Sequence, residues 1–280
     1  MTEMYRVSKV LNNNGVIAID MDENKEYVIL GKGVGFGKKV SQRFDKPEGC
    51  TTYRLEQETE RGSAKELVKG IEPEYLEIAD AILTESQKVF GDSIDRGILF
   101  PLADHISFAV ARIRRNEQIS NPLTEDIKVL FYSEFKVAET LKTILRERLQ
   151  IEIDDHEVGY VALHIHSAIG DEKVSVAMQT ARAVRECIDM IEKATGKPID
   201  VLSLSYNRLM NHMKYMVARA STGEKLNLDM NEYMLDQYPQ AYKVATDICK
   251  NLEGCIGHNL DETETGYLAM HIQRVYKDAV

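Results

Sequence analysis

A chain of 280 residues, 29% charged and 44% hydrophobic with a net charge of −10, has the composition of a soluble globular protein of roughly two domains. No apolar run approaches the ~18 residues that cross a membrane, and no uninterrupted apolar core follows Met1, so membrane insertion and a signal peptide are not expected. Cys50, Cys187, Cys249 and Cys255 form no CxxC pair and no metal-ligand spacing, which reads as reduced thiols in a cytoplasmic protein.

The charge is unevenly spread. Residues 1–46 carry eight Lys or Arg against six Asp or Glu, so the acidity lies in the rest of the chain. Between Tyr27 and Phe44 there is no acid, while Lys32, Lys38, Lys39 and Arg43 all fall there. A mildly basic head permits a polyanion-binding face, and it equally fits a solvated surface. Tyr5 to Leu11 is rich in β-formers, Asn12-Asn13-Asn14-Gly15 is a turn signal, and Val16 to Ile19 and Tyr27 to Leu30 read as further strands. Gly31, Gly33, Gly35 and Gly37 alternate after them. They bring no side chain to a core and suit places where the backbone bends or something approaches closely. Their spacing is neither GxGxxG nor GxxxxGK[ST]. A sheet this small buries little surface, and pairing with a second copy is the natural remedy.

Residues 47–63 are polar and without sustained period, and are expected to form a linker. From Ala64 onward the pattern is helical: Ile71, Tyr75, Ile78 and Ile82 recur at spacings of three and four. The segment Leu102-Ala-Asp-His105-Ile-Ser-Phe-Ala-Val-Ala-Arg112 then returns 107 residues later as Leu209-Met-Asn-His212-Met-Lys-Tyr-Met-Val-Ala-Arg219. The same offset lays Phe135-Lys-Val-Ala138 on Tyr242-Lys-Val-Ala245, and Asp155-His-Glu157-Val-Gly159-Tyr-Val-Ala-Leu-His164 on Glu262-Thr-Glu264-Thr-Gly266-Tyr-Leu-Ala-Met-His271. A domain-sized period that holds through three blocks is a duplication. Its boundary is expected near Gly170-Asp-Glu-Lys173.

Each copy keeps two histidines, His105 and His164 in the first, His212 and His271 in the second. A lone histidine at the edge of an apolar stripe is usually a satisfied core residue; two kept at matching places favour function. Asp104 becomes Asn211, so the acid beside the first histidine does not repeat, and His166 becomes Gln273. There is no nucleophile elbow, no HExxH and no repeated pair of carboxylates, so no catalytic set emerges. A metal-dependent hydrolase built on the histidines and Asp104 remains the enzymatic alternative.

Lys9-Val-Leu-Asn12-Asn13-Asn14, followed by Leu30-Gly31-Lys32-Gly33-Val-Gly35-Phe36-Gly37-Lys38-Lys39, resembles the RNA-binding head of the BglG/SacY/LicT transcriptional antiterminators. The duplicated histidine blocks resemble that family's two PTS-regulation domains (PRDs), and the glycine-lysine wording with Leu163-His-Ile-His166 is most similar to the glucose-type, GlcT-like branch. The resemblance spans essentially the whole chain. It implies a multidomain fold: a small all-β RNA-binding domain at 1–58, with a four-stranded antiparallel sheet that dimerises, then two all-α helical-bundle domains at 64–171 and 172–280. It implies no enzyme and no cofactor or metal. The head would bind a leader-RNA hairpin that excludes an overlapping terminator upstream of a sugar phosphotransferase operon. RNA contact would fall to Lys9, Asn12, Asn13, Asn14, Gly31, Lys32 and Phe36. Phosphorylation would fall to His105, His164, His212 and His271, with a sugar-specific PTS permease domain and HPr as donors. Lys32 stands where several family members carry Arg, keeping the charge without the bidentate fork. A PRD-containing DNA-binding activator is the other alternative, and the short β-rich N-terminus leaves no room for its helix-turn-helix.

Overall fold

The computed structural model describes residues 4–56, 58–59, 62–117, 119–170, 173–196, 198–200 and 203–278. The Met1-Thr2-Glu3 start and Asp171-Glu172 of the expected boundary lie outside the described residues. Contacts divide the chain into two compact units, residues 1–121 with 133–173, and residues 122–132 with 174–280.

The first unit opens with β1 (Met4–Asn12), β2 (Gly15–Asp20), β3 (Glu26–Leu30), β4 (Arg43–Asp45) and β5 (Thr51–Arg54). They form one antiparallel sheet in the order β4-β1-β2-β3-β5. Alternation along the strands turns Tyr5, Val7, Val16, Ala18 and Ile29 to one face, where Val34 and Phe44 complete the core. Register shifts within β1 on either side of Lys9 and Val10 interrupt the strict alternation, and Lys9 is exposed.

The sheet has five strands where four were expected. The additional strand, β5, lies in the stretch read as a linker. Thr51-Thr52-Tyr53 is β-branched and aromatic, but too short for a period to register. What fixes it is tertiary: β5 pairs with β3 from Tyr27↔Arg54 to Leu30↔Thr51, and Tyr53 and Leu55 are buried. Tyr53 sets its ring edge-on to Phe100 with centroids 6.4 Å apart. Its hydroxyl donates to Asp80, and Arg96 donates to both, at 2.7 Å to Tyr53 and 2.8 Å to Asp80. The head is thereby stitched to the helices that follow it in the same unit.

A two-stranded ribbon, β6 (Glu58–Thr59) with β7 (Gly62–Ser63), leads into the helices. Ser63 caps α1 (Ala64–Gly70) by accepting from the Glu66 amide. There follow α2 (Pro73–Phe90), α3 (Leu99–Arg114), α4 (Thr124–Leu130), α5 (Tyr132–Ala138), α6 (Thr140–Leu149) and α7 (Asp155–Gly170). The second copy contributes α8 (Val174–Thr195), α9 (Leu204–Thr222), α10 (Asn231–Gln237), α11 (Pro239–Ile256) and α12 (Thr263–Asp278).

The 107-residue offset maps α4 onto α10 residue for residue and carries α3 onto α9 and α7 onto α12. Two differences between the copies bear on packing. Where α11 is one helix, the first copy has α5 and α6, divided at Glu139, where the Thr140 hydroxyl takes the Val137 carbonyl. And α4 belongs to the second unit, packed with α8 and α9, where Tyr206 donates to Asp126 at 3.3 Å. Burial raises the Asp126 carboxyl above its ordinary range.

Candidate functional site

The β1–β2 turn and the glycine loop after β3 come together at one end of the head. The Gly31 amide donates to the Asn14 carbonyl at 2.9 Å, Gly33 to Asn14 Oδ1 at 3.0 Å, and Gly35 to the Asn13 carbonyl at 3.0 Å. Glycine is required at two of these points. A Cβ on Gly35 would run into the Asn12 carbonyl oxygen, and one on Gly31 into Cys50. The loop so held presents Phe36 at 74% exposure, outside any core. Asn13 and Lys32 are exposed as well, and Lys9 is exposed further back on β1. The structure brings Asn12, Asn13, Asn14, Gly31, Lys32 and Phe36 onto one turn-and-loop assembly, with Lys9 on strand β1.

Asn12 and Asn14 have a partner that the sequence did not disclose. Asn12 Nδ2 donates to Glu77 Oε1 at 2.7 Å, and Asn14 Nδ2 to Glu77 Oε2 at 3.1 Å. Glu77 stands on α2, with Arg148 Nη1 of α6 at 3.6 Å.

The four histidines form two matching pairs, each between facing helices of one copy. In the first, His105 of α3 lies 5.4 Å from His164 of α7, ring centre to ring centre, with Tyr160 at 5.7 Å. In the second, His212 of α9 stacks on His271 of α12 at 4.8 Å with the planes 15° apart, and Tyr267 lies at 5.1 Å. All four are buried, at 6–9% exposure.

A glutamate faces each pair. His105 Nε2 lies 3.4 Å from Glu157 Oε2, and His212 Nε2 lies 3.7 Å from Glu264 Oε2. Glu157 accepts from Arg112 Nη2 at 2.8 Å, and Glu264 accepts from Arg219 Nε and Nη2 at 2.6 and 3.0 Å. Arg112 and Arg219, Glu157 and Glu264, and Tyr160 and Tyr267 are each related by the 107-residue offset. They were in the repeated blocks all along; comparing only the immediate neighbours of the histidines passed over them.

Burial, then the neighbouring His271 and the Arg219 charge, pushes His212 down to about 3. Burial, with Arg274 and Arg208, pushes His271 down to about 4. Both rings are neutral near pH 7. Burial works to raise the Glu157 carboxyl, but His105 and Arg112 together outweigh it and hold it below the ordinary value. The second cluster thus sets two neutral imidazoles, nucleophilic in that form, against each other, and the first sets His105 beside a carboxylate held ionised with the help of Arg112. One turn along from the first histidine of each copy stands an exposed aromatic, Phe108 at 55% and Tyr215 at 60%, again one offset apart. Among the described residues no three His, Cys, Asp or Glu side chains are placed to hold a metal ion.

The CAT RNA binding domain family matches residues 5–62, and the PRD domain family matches residues 80–168 and again 185–275. The GlcA/glcB genes antiterminator of Staphylococcus carnosus is 30% identical over 274 residues, covering 96% of this chain and 94% of that one. Transcription antiterminator LicT of Bacillus subtilis is 27% identical over 278 residues, covering 98% of this chain and all of that one. A crystal structure of GlcT CAT-PRDI superposes with a TM-score of 0.52 at 29% identity, covering 60% of this chain and 99% of that one. With one CAT RNA binding domain followed by two PRD domains, and relatives that match it nearly end to end, the chain belongs to the GlcT/LicT family of transcription antiterminators.

Proposed function

We propose that the head binds a leader-RNA hairpin and so prevents an overlapping terminator from forming upstream of a sugar phosphotransferase operon. The two PRDs set whether it does. The observation that carries the RNA reading is the exposed Phe36 on a loop knitted to the asparagine turn. An aromatic ring, short amide side chains and close backbone suit unpaired bases and the shallow minor groove of A-form RNA. Lys32, Lys38 and Lys39 add phosphate attraction that weakens with salt. The protein works as a switchable binder in the cytoplasm, without catalysing a reaction of its own.

Control falls to His105, His164, His212 and His271 as acceptors of phosphoryl groups from HPr and a sugar-specific PTS permease domain. A phosphoryl group adds roughly two negative charges. Such a group cannot stay in a dry pocket against Glu157 or Glu264, so modification opens the α3–α7 or α9–α12 seam. Arg112 and Arg219 are the cations on hand to meet it, once released from their glutamates. The exposure of Phe108 and Tyr215, one turn along from the histidines, supports pairing with a second copy, and the active species is a homodimer.

Two measurements test this. The full chain should shift a leader-RNA hairpin and not the matching promoter DNA, with affinity falling steeply between 50 and 200 mM salt, a loss of order 10³-fold or more for six or more phosphate contacts. Mass spectrometry of protein from cells grown with and without the sugar should find phosphohistidine at the four positions. Preferential binding to promoter DNA would instead favour a DNA-binding activator.

A further inference from the structure

The two asparagine amides at the head's candidate RNA edge are already engaged from within the chain. One carboxylate, Glu77 on α2, receives the Nδ2 donor of Asn12 at 2.7 Å and that of Asn14 at 3.1 Å. The other end of each amide is fixed as well: Asn12 Oδ1 accepts from the Asn14 backbone at 2.8 Å, and Asn14 Oδ1 from Gly33 at 3.0 Å. Both amides are therefore locked with their NH₂ groups turned to Glu77. Arg148 Nη1 lies 3.6 Å from the same Oε2 that accepts from Asn14, and the Glu77 side chain is only 19% exposed.

An RNA phosphate or base acceptor needs those same donors. An ionised carboxylate is acceptor-only and anionic, as a phosphate oxygen is, and it also repels the backbone that would replace it. Both occupants cannot be satisfied together. We infer that Glu77 is an internal competitor for the RNA site: the first PRD holds Asn12 and Asn14 through α2, and the hairpin takes them only as that contact opens. This rests on the assignment of the asparagine turn to RNA. It gives the head and the first PRD a direct coupling, because whatever loosens α2 at Glu77 frees RNA donors, and RNA binding loosens α2 by the same factor.

The test uses the full chain and a fluorescently labelled RNA hairpin transcribed from the leader of a sugar phosphotransferase operon. Glu77→Ala removes the competitor and should tighten binding about 10-fold, the scale of hydrogen bonds to a charged group. Glu77→Gln keeps the size, so it folds if the wild type does. It loses the charge and turns an NH₂ towards one asparagine donor, and should tighten binding by a smaller factor. Glu74→Gln, one turn away on α2, is the control for general charge and should leave affinity unchanged. A hairpin bound by Glu77→Ala but not by the wild type would be the extreme form of support. If the wild type binds and neither Glu77 variant binds tighter, or Glu74→Gln gives the same gain, the competition is overturned while the antiterminator reading stands. If no form binds the hairpin, the RNA assignment fails and takes this inference with it.

Discussion

Arg219 grips Glu264 with two hydrogen bonds, 2.6 and 3.0 Å long, across the α9–α12 seam. The glutamate side chain is 2% exposed, so this is a buried ion pair, and removing one partner strands the other's charge. Breaking such a pair costs about 3–5 kcal/mol, while replacing both partners by apolar residues costs far less. Arg219→Met should therefore lower the urea midpoint of the second unit strongly, and adding Glu264→Leu should restore most of it. The equivalent Arg112→Met should cost less, since that guanidinium is 25% exposed and holds Glu157 through one hydrogen bond of 2.8 Å. Equal losses in the two copies would contradict the geometry.

Acid should weaken the second unit through its histidines. In the fold His212 lies at about 3 and His271 at about 4, against roughly 6.5 for an unperturbed imidazole. Above pH ~6.5 both are neutral whether the chain is folded or not, and the full stability is present. As pH falls below that, the unfolded chain takes up protons that the fold refuses. Stability is lost progressively from there down to the folded values, at up to about 1.4 kcal/mol per pH unit for each ring. Melting temperatures measured from pH 7 to pH 5 should fall with this slope, and His271→Gln should remove roughly half of it. A flat profile would mean that the rings are solvated.

Phe36 separates binding from stability. At 74% exposure it packs against little, so Phe36→Ala should leave the melting temperature nearly unchanged, within ~0.5 kcal/mol. If a base stacks on it, RNA affinity should drop by about 1–3 kcal/mol, or roughly 5- to 150-fold. Lys32→Arg should keep the charge and restore a bidentate donor, tightening the same complex modestly. Hairpin titration beside a thermal melt checks all of these.

The sequence carried the large-scale plan because duplication writes it twice: a fixed offset through His105, Phe135 and His164 implied two matching helical domains, and α4 and α10 obey that offset to the residue. The glycine loop was legible because its geometry is local. What escaped was whatever depends on distant partners. β5 became visible only through its pairing with β3 and the burial of Tyr53 among α2 and α3 side chains. Glu77 sits on an ordinary amphipathic helix, 65 residues from Asn12, and nothing in its neighbourhood marks it. Glu157 and Arg112 are a different case. Both lie in repeated blocks, and a comparison of every conserved charge between the copies, beyond the neighbours of each histidine, would have found them.

Residues 122–132 come from the first copy but are part of the second unit, and the backbone passes between units at 121–122, 132–133 and 173–174. A protease nick within 171–173 would cut the last of these passages without releasing two fragments. The N-terminal piece would still own Ile127 and Leu130, buried on the helix that packs with α8 and α9. The pieces should co-elute from a sizing column and part only in denaturant, so α4 serves this chain as a rivet.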